Sequence, residues 1–288
     1  MLMTPGAAAL LISLGSVAGF FSGLLGIGGG ILMVPLLLYV PPLLGFPALG
    51  MKTVAGITMV QSLAASLAGA LGHGQRRFHG KLVKVMGMAV AGGALAGSVL
   101  SRWLSGMVLE SLFAVLALLA GLLLFLPAPH RSEEPDGPPY FSQPLAAATG
   151  GAIGLLGGIV GQGGGFLIVP VLIYMIRIPV RMALGSSLAI GLISGVAGFA
   201  GKALTAQLQL WPSLAVVAGA LVGSLGGSRF SEHLSQATLR RVLAVVIIAS
   251  SVRIGVGLLP TSQTATTAQD RPAPQSGGPT SLNGIAPK

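Results

Sequence analysis

Cysteine is absent from this chain, and charged residues are rare. Without cysteine the protein has no disulfides, no thiolate metal ligands and no iron–sulfur clusters. Only 8% of the 288 residues are charged while 53% are hydrophobic, whereas a soluble domain usually has about 25% charged residues. Several apolar runs are long enough to cross a hydrocarbon layer of about 30 Å. The composition therefore predicts an all-α polytopic membrane protein embedded in a lipid bilayer.

Acidic residues are especially scarce, and their positions bear on the substrate. Each lies in a predicted loop, in the tail or at the edge of an apolar segment: Glu110, Glu133, Glu134, Asp136, Glu232 and Asp270. A membrane interior without carboxylates lacks the usual partner of a transported cation and the usual proton relay. The distribution of acids therefore disfavours a cation transporter and favours an anion as the substrate.

Basic residues give the chain a formal net charge of +10, but they lie mostly in short loops between apolar segments. The excess of Lys and Arg in the cytoplasmic loops of membrane proteins explains this pattern, and no tract mixes basic with aromatic residues. The histidines are not spaced with carboxylates as metal ligands, and no Ser/His/Asp or HExxH pattern is present. We therefore expect no nucleic-acid binding, no metal site, no cofactor and no enzymatic activity.

A glycine-rich stretch interrupts the apolar sequence twice. Residues 26–35 read GIGGGILMVP, and residues 161–170, 135 positions later, read GQGGGFLIVP with seven of ten residues identical. Each glycine costs about 1 kcal/mol relative to alanine inside a helix, and Pro35 and Pro170 each remove a backbone donor and are predicted helix breaks. In lipid, the freed amides need partners in the protein or in a water-filled cavity. Such breaks at corresponding places in two halves indicate the binding site of a transporter.

Two homologous halves follow from this repeat, each with five predicted apolar segments. The segments are 6–25, 31–45, 48–71, 82–100 and 107–126 in the first half, and 144–160, 166–176, 183–201, 212–230 and 239–259 in the second. The second segment of each half is short, so we expect about eight to ten membrane segments, including short or broken helices at the glycine motifs. The predicted domains are a first transmembrane repeat (1–126), a linker (127–144), a second repeat (145–259) and a disordered tail (260–288).

The repeat extends to a stretch of small residues in the fourth segment of each half. Residues 93–98 read GALAGS, and residues 219–224 read GALVGS. Small residues four positions apart let membrane helices approach closely. We therefore expect both stretches to lie in helix–helix contacts.

The positions of the basic residues favour inverted repeats. Arg76, Arg77 and Lys81 mark the loop after the third segment as cytoplasmic. Five further arginines would lie outside if the second half had the same orientation, and inside if it were inverted. They are Arg177, Arg181, Arg229, Arg240 and Arg241. The positive-inside rule therefore predicts inversion, with both termini outside.

Polar residues in apolar surroundings are candidates for substrate contacts. Lys52 is one because ionisable residues inside a membrane are usually functional, although a lysine at a helix end also extends to the interface. The corresponding position of the second half is Ser187, next to Ser186, and hydroxyls together with an ammonium suit an anion. The predicted substrate-binding residues are Gly28, Gly29, Gly30, Lys52, Thr53, Gln162, Gly163, Gly164, Gly165, Ser186 and Ser187.

Two glutamines have two interpretations each. Gln162, inside the second glycine motif, can bond a substrate oxygen or a freed carbonyl, and Gln61 is a possible site residue that can instead bond another helix. Lys84, Lys202 and Arg253 lie near segment ends and are interpreted as interfacial or loop charges. Glycine-rich breaks at helix N-termini also present backbone amides and the positive end of the helix dipole, which bind anions without a charged side chain.

These motifs resemble those of the sulfite exporter TauE/SafE family of membrane permeases. The resemblance lies in a G-x-G-G-G-(x)4-P pattern in each half, followed by A-x-G and small hydroxyl residues at the start of the next helix. The matching positions are Gly26, Gly28, Gly29, Gly30, Pro35, Ala48 and Gly50, then Gly161, Gly163, Gly164, Gly165, Pro170, Ala183, Gly185, Ser186 and Ser187. The first half departs from the pattern at Met51-Lys52, where hydroxyl residues are usual.

The resemblance implies a multi-pass transporter of the bacterial inner membrane. Its expected substrate is sulfite, thiosulfate, an organosulfonate or a related small anion, with the site between the two repeats. Secondary transport by rocking of one repeat against the other is the leading hypothesis. A passive anion channel and a membrane scaffold without a substrate are the alternatives, and the sequence leaves direction, coupling ion and oligomeric state open.

Overall fold

Helices make up the regular secondary structure of the part of the chain that the structure describes. The computed structural model describes residues 4–25, 30–72, 79–125 and 141–230, together with 245, 248 and 252. Its helices are α1 (Pro5–Leu25), α2 (Gly30–Leu43), α3 (Met51–Gly72), α4 (Gly80–Leu100), α5 (Gly106–Phe125), α6 (Gln143–Val160), α7 (Gly165–Pro170), α8 (Val180–Leu204) and α9 (Leu210–Phe230). No strand occurs within these ranges. The all-α prediction is confirmed.

Nine of the ten predicted apolar segments correspond to these helices, with ends that differ by a few residues. Six of the described helices are long and apolar enough to cross a membrane, and they are α1, α4, α5, α6, α8 and α9. The predicted short segments are the shorter apolar helices, Ile31–Leu43 and Gly165–Met175. The tenth segment, 239–259, and the tail, 260–288, lie outside the described ranges apart from three residues, as does the linker up to residue 140. The proposed domain boundaries therefore stay predictions.

The small-residue stretches lie in helix–helix contacts, as the sequence predicted. In α4, a β-carbon on Gly97 would collide with the carbonyl oxygen of Leu155 in α6. In α9, a β-carbon on Gly223 would collide with the carbonyl oxygen of Ser16 in α1. The fourth helix of the first half, α4, therefore packs at close range on α6, the first helix of the second half. In the same way α9, the fourth helix of the second half, packs on α1.

The residue pairs in these contacts also give the helix directions. In α4 and α6, Gly93 lies against Gly151, and Gly97 lies against Ile159, so the two helices are parallel. In α1 and α9, Gly15 lies against Val216 and Gly19 against Ala220, so these two are parallel as well. The following contacts place α8 parallel to α4: Gly87 with Ile193, and Ser98 with Gly198.

The helices α3 and α8 cross the structure side by side in opposite directions. Ser66 lies against Gly191, Leu63 against Gly195 and Met59 against Gly198, so the numbers fall along one helix as they rise along the other. Both helices carry buried polar residues in addition to their apolar ones. They are Thr58, Gln61, Ser62 and Ser66 in α3, and Ser186, Ser187, Ser194 and Lys202 in α8. This antiparallel pair therefore holds most of the described polar groups of the interior.

The two motif prolines have different surroundings. The predicted helix break at Pro35 is wrong, because Pro35 lies inside α2, which continues to Leu43. The helix tolerates the lost hydrogen bond and the crowding of the ring against the preceding turn. Pro170 ends α7, and the chain continues as a π-helical turn over Val171–Met175. The irregular backbone of the second half therefore extends on both sides of α7.

Candidate functional site

The second glycine motif forms a four-residue break between α6 and α7. Gly161, Gly163 and Gly164 have φ angles of 85°, 58° and 73°, which L-residues with a side chain rarely adopt. A β-carbon on Gly161 would also collide with the backbone oxygen of Ala55 in α3. Both the turn conformation and the close approach of α3 therefore require glycine at position 161.

Three of the four backbone amides of the break are already bonded within the chain. The nitrogens of Gly161, Gln162 and Gly163 all donate to the carbonyl oxygen of Gly157, at 3.0, 2.8 and 3.2 Å. The nitrogen of Gly165 donates to the Gln162 carbonyl oxygen at 3.3 Å. The sequence predicted that these amides would face a substrate, but the left-handed turn folds them back onto the end of α6 instead.

The carbonyl groups of the break accept hydrogen bonds from hydroxyls of α3 and α8. Thr58 Oγ1 lies 2.9 Å from the Gly161 oxygen and 2.9 Å from the Val54 oxygen of its own helix, and these two acceptors share its proton. Ser62 Oγ donates to the Gln162 oxygen at 3.0 Å. Ser194 Oγ donates to the Gly163 oxygen at 2.5 Å. The break is therefore fixed between the two antiparallel helices by one hydroxyl for each of three successive carbonyls.

Two glutamine side chains complete this region. Gln61 is 2% exposed and Gln162 is 1% exposed, and the Gln61 Oε1 atom has no hydrogen-bond partner among the described residues. Buried polar atoms are almost always bonded, and the Gln61 oxygen is an acceptor that only a hydrogen-bond donor would satisfy. We call Thr58, Gln61, Ser62, Gln162 and Ser194 the central polar cluster.

The other predicted site residues lie at two opposite ends of the α3–α8 pair. Lys52 is exposed in the first turn of α3, and its Nζ donates to the Arg102 carbonyl oxygen at 2.9 Å. Ser186 is buried near the start of α8, where its Oγ accepts from the His79 nitrogen at 3.2 Å. Thr53 follows Lys52, and buried Ser187 follows Ser186.

These two ends are far apart. Ser66 lies against Gly191, and the 14 residues from Lys52 to Ser66 span about 21 Å of helix. Ser186 lies beyond Gly191 on the side away from Lys52. The structure therefore does not bring Lys52 and Ser186 into one cluster. Of the glycines in the first motif, Gly28 and Gly29 lie outside the described residues, and Gly30 begins α2.

One buried charge was missed by the sequence interpretation. Lys202 is 0% exposed, and its Nζ donates to Ser101 Oγ at 2.6 Å and to Gln207 Oε1 at 3.0 Å. The only signal in the sequence is its place directly after an apolar segment, which is equally typical of an interfacial lysine. Its side chain is held between Ser101, just after α4, and Gln207, in the connection from α8 to α9.

No group of three or more metal-ligand side chains occurs in the described part of the chain. The central polar cluster contains hydroxyls and amides, which bond an oxyanion without a permanent charge. The side chains at the break therefore supply hydrogen-bonding groups.

Comparison with known proteins gives a consistent set of relatives. Residues 11–254 match the family described as sulfite exporter TauE/SafE. A probable membrane transporter protein of Xylella fastidiosa is 31% identical over 255 residues, covering 85% of this chain and 94% of that protein. The probable membrane transporter protein YunE of Bacillus subtilis is 24% identical over 258 residues, covering 83% and 94%.

A probable membrane transporter protein of Haemophilus influenzae is 34% identical over 196 residues, covering 66% of this chain and 71% of that protein. No solved structure matches the chain. The apolar helices and the relatives identify a multi-pass membrane transporter, which in bacteria lies in the inner membrane. The chain belongs to the sulfite exporter TauE/SafE family.

Proposed function

We propose that the protein is a secondary transporter of a small anion that binds at the central polar cluster. The observation that carries this proposal is the set of buried hydroxyls and side-chain amides around the glycine break, whose O–H and N–H groups can donate to an oxyanion. Glu110 is the only acidic residue in those ranges, and it lies on α5, outside the cluster. A polar interior without carboxylates suits an anion better than a cation.

The side chains of this cluster include hydrogen-bond donors of the kind that bind an oxyanion. Gln61 and Gln162 each carry an amide nitrogen with two N–H groups, and Thr58, Ser62 and Ser194 each carry a hydroxyl. In the present conformation the hydroxyls bond the carbonyls of the break. When the break moves relative to α3 and α8, the same hydroxyls turn to the substrate, which replaces the carbonyls as acceptor.

The helix directions support the inverted repeats that this mechanism uses. The helix α6 is parallel to α4 and α8, and α1 is parallel to α9. The five residues 205–209 connect α8 to α9, and such a short connection joins two membrane-spanning helices that run in opposite directions. By this reasoning α1 runs opposite to α6, its equivalent in the second half. Rocking of two inverted units then exposes the cluster to each side in turn.

The proposed substrates are sulfite, thiosulfate or an organosulfonate. The description of the matching family as a sulfite exporter supports these substrates. The central polar cluster also supports them, because its hydrogen-bond donors are neutral hydroxyls and amides. Oxygen atoms on sulfur accept the kind of hydrogen bond that hydroxyls and amides donate.

Flux of labelled sulfite, thiosulfate and taurine into proteoliposomes tests the proposal. A carrier gives saturable flux that unlabelled substrate competes with, whereas a channel gives flux that rises linearly with concentration and a scaffold gives none. Gln61→Leu should raise KM about tenfold or more, because a lost hydrogen bond to a charged ligand is worth roughly 1.5–3 kcal/mol. Ser13→Ala is the matched control, since this exposed hydroxyl bonds only Ala9 of its own helix among the described residues. Equal KM values for Gln61→Leu and the wild type would contradict a site at this cluster.

A further inference from the structure

The end of the bundle that holds Lys202 contains a buried positive charge with neutral partners. Lys202 is completely buried within a helix long enough to cross the membrane. Its two hydrogen-bond partners are the Ser101 hydroxyl and the Gln207 amide oxygen, and we call these three residues the Lys202 cluster. Burial of a charge is costly unless an opposite charge compensates it. The cluster supplies dipoles but no negative charge.

A second lysine adds to this positive potential. The ammonium groups of Lys202 and Lys52 bond consecutive residues, Ser101 and Arg102, just after the end of α4. Lys52 Nζ bonds the carbonyl oxygen of Arg102, whose own side chain is exposed at the same end of α4. Like charges placed together in this way attract an anion and repel one another in its absence.

The neutral partners of Lys202 are fully used. Ser101 Oγ donates to the Ser98 carbonyl oxygen at 2.7 Å. Gln207 Nε2 donates to the Ser98 oxygen at 3.3 Å and to Thr205 Oγ1 at 2.6 Å. An ammonium has three N–H donors, and the described residues accept two of them. One donor of the buried cation therefore stays available for a ligand.

The Lys202 cluster is also continuous with the glycine break. Ser98 Oγ, one turn before Ser101, donates to the Gly158 carbonyl oxygen in the last turn of α6 at 3.3 Å. The Gln207 carbonyl oxygen lies against Gly56, two residues before Thr58 of the central polar cluster. The two polar regions are therefore connected through Gly158 of α6 and Gly56 of α3.

We propose that the Lys202 cluster is a second anion-binding site, which passes a small sulfur oxyanion between the central polar cluster and the membrane surface at the Lys52 end. This inference rests on the proposed function for the identity of the anion. Lys202 supplies the fixed charge that the central cluster lacks, and Lys52 raises the local concentration of anions at the entrance. If the loop after α3 is cytoplasmic, as the basic residues predict, this site faces the outside.

A purely structural role makes a different prediction. In that role, Lys202 only fastens the connection between α8 and α9 to the end of α4. Gln207→Glu separates the two roles, because a carboxylate keeps the acceptor for Lys202 and forms an ion pair with it. The ion pair offsets the two hydrogen bonds that Gln207 Nε2 donates to Ser98 and Thr205. The structural role predicts unchanged or higher thermal stability with normal transport. The anion site predicts equal stability with impaired binding, because the ion pair removes the net positive charge.

Thiosulfate binding to the full-length protein in detergent tests the site directly. Trp103 follows Arg102, and Trp211 lies four positions after Gln207. These are the chain's two tryptophans, so tryptophan fluorescence reports on this end of the bundle. We expect a saturable change with the wild type and with Lys202→Arg, and an apparent Kd about tenfold higher or more with Gln207→Glu and Lys202→Gln, as for loss of one charge-assisted hydrogen bond. Lys84→Gln, at an exposed lysine of α4, is the matched control.

The outcomes separate this inference from the proposed function. A Kd unchanged by Gln207→Glu, or no saturable change with the wild type, overturns the second site even if the wild type transports thiosulfate. Saturable binding that Gln207→Glu removes supports the site even if proteoliposome flux is absent, and in that case the transport proposal fails instead. Melting temperatures of the variants, measured in the same detergent, identify any that are misfolded, and Gln207→Glu is expected to match the wild type.

Discussion

Gly161→Ala is expected to destabilise the protein more than any substitution that affects only the turn conformation. The φ angle of Gly161 is 85°, and an L-residue in the left-handed region costs about 1–2 kcal/mol. The new β-carbon would also meet the backbone oxygen of Ala55, and backbone shifts that relieve such overpacking cost about 1–3 kcal/mol. The two effects together predict a loss of about 2–5 kcal/mol of unfolding free energy.

Gly45→Ala is the matched control for this prediction. Gly45 has a similar φ angle of 78°, but a β-carbon there would meet no atom within 4 Å. This control should therefore lose only the conformational cost, about 1–2 kcal/mol. Unfolding of both variants in detergent micelles with increasing SDS measures the difference. Equal losses for the two variants would refute the close contact between the break and α3.

Three further substitutions test separate parts of the structure. Gly97→Ala should lower the unfolding free energy by about 1–3 kcal/mol, because the added β-carbon separates α4 from α6. Its control, Gly92→Ala, has open space around it and should raise the unfolding free energy by up to about 1 kcal/mol in the same SDS titration. Ser194→Ala removes the hydroxyl bonded to the break and should lower the unfolding free energy by about 1–3 kcal/mol. The control Ser13→Ala should lower it by less than about 0.5 kcal/mol. Lys52→Gln should raise KM for thiosulfate at low ionic strength and have little effect at high ionic strength, because salt screens an exposed charge; a salt-independent effect would contradict an entrance role.

Much of the helical framework could be predicted from local sequence features. Apolar runs bounded by loops indicate the helices, and the matching stretches at 93–98 and 219–224 indicate close helix packing. The partners of these stretches could not be predicted, because each stretch packs on a helix of the other half. Such contacts depend on long-range assembly, which the spacing of residues within one segment does not encode.

The candidate site was predicted only in part. The second glycine motif forms a real break, and Gln61 and Gln162 are both buried beside it or within it. The bonding of its amides to Gly157 was not foreseen, because it depends on the sign of three φ angles. The burial of Lys202 was also missed, since Ser101 and Gln207 come to it from a different helix and from the following turn.

The absence of cysteine permits one direct test of the central claim, which is that a small anion reaches the polar cluster beside the break. A cysteine introduced as Ser62→Cys would be unique in the chain, and Ser62 lies 5% exposed at the centre of α3. In transport-active proteoliposomes, we expect a negatively charged methanethiosulfonate reagent to modify this cysteine, and ethanesulfonate to slow the modification. Modification of Ser13→Cys should not respond to ethanesulfonate. No modification of Ser62→Cys by the anionic reagent in an active protein, or modification that ethanesulfonate does not slow, would contradict an anion site at the central polar cluster.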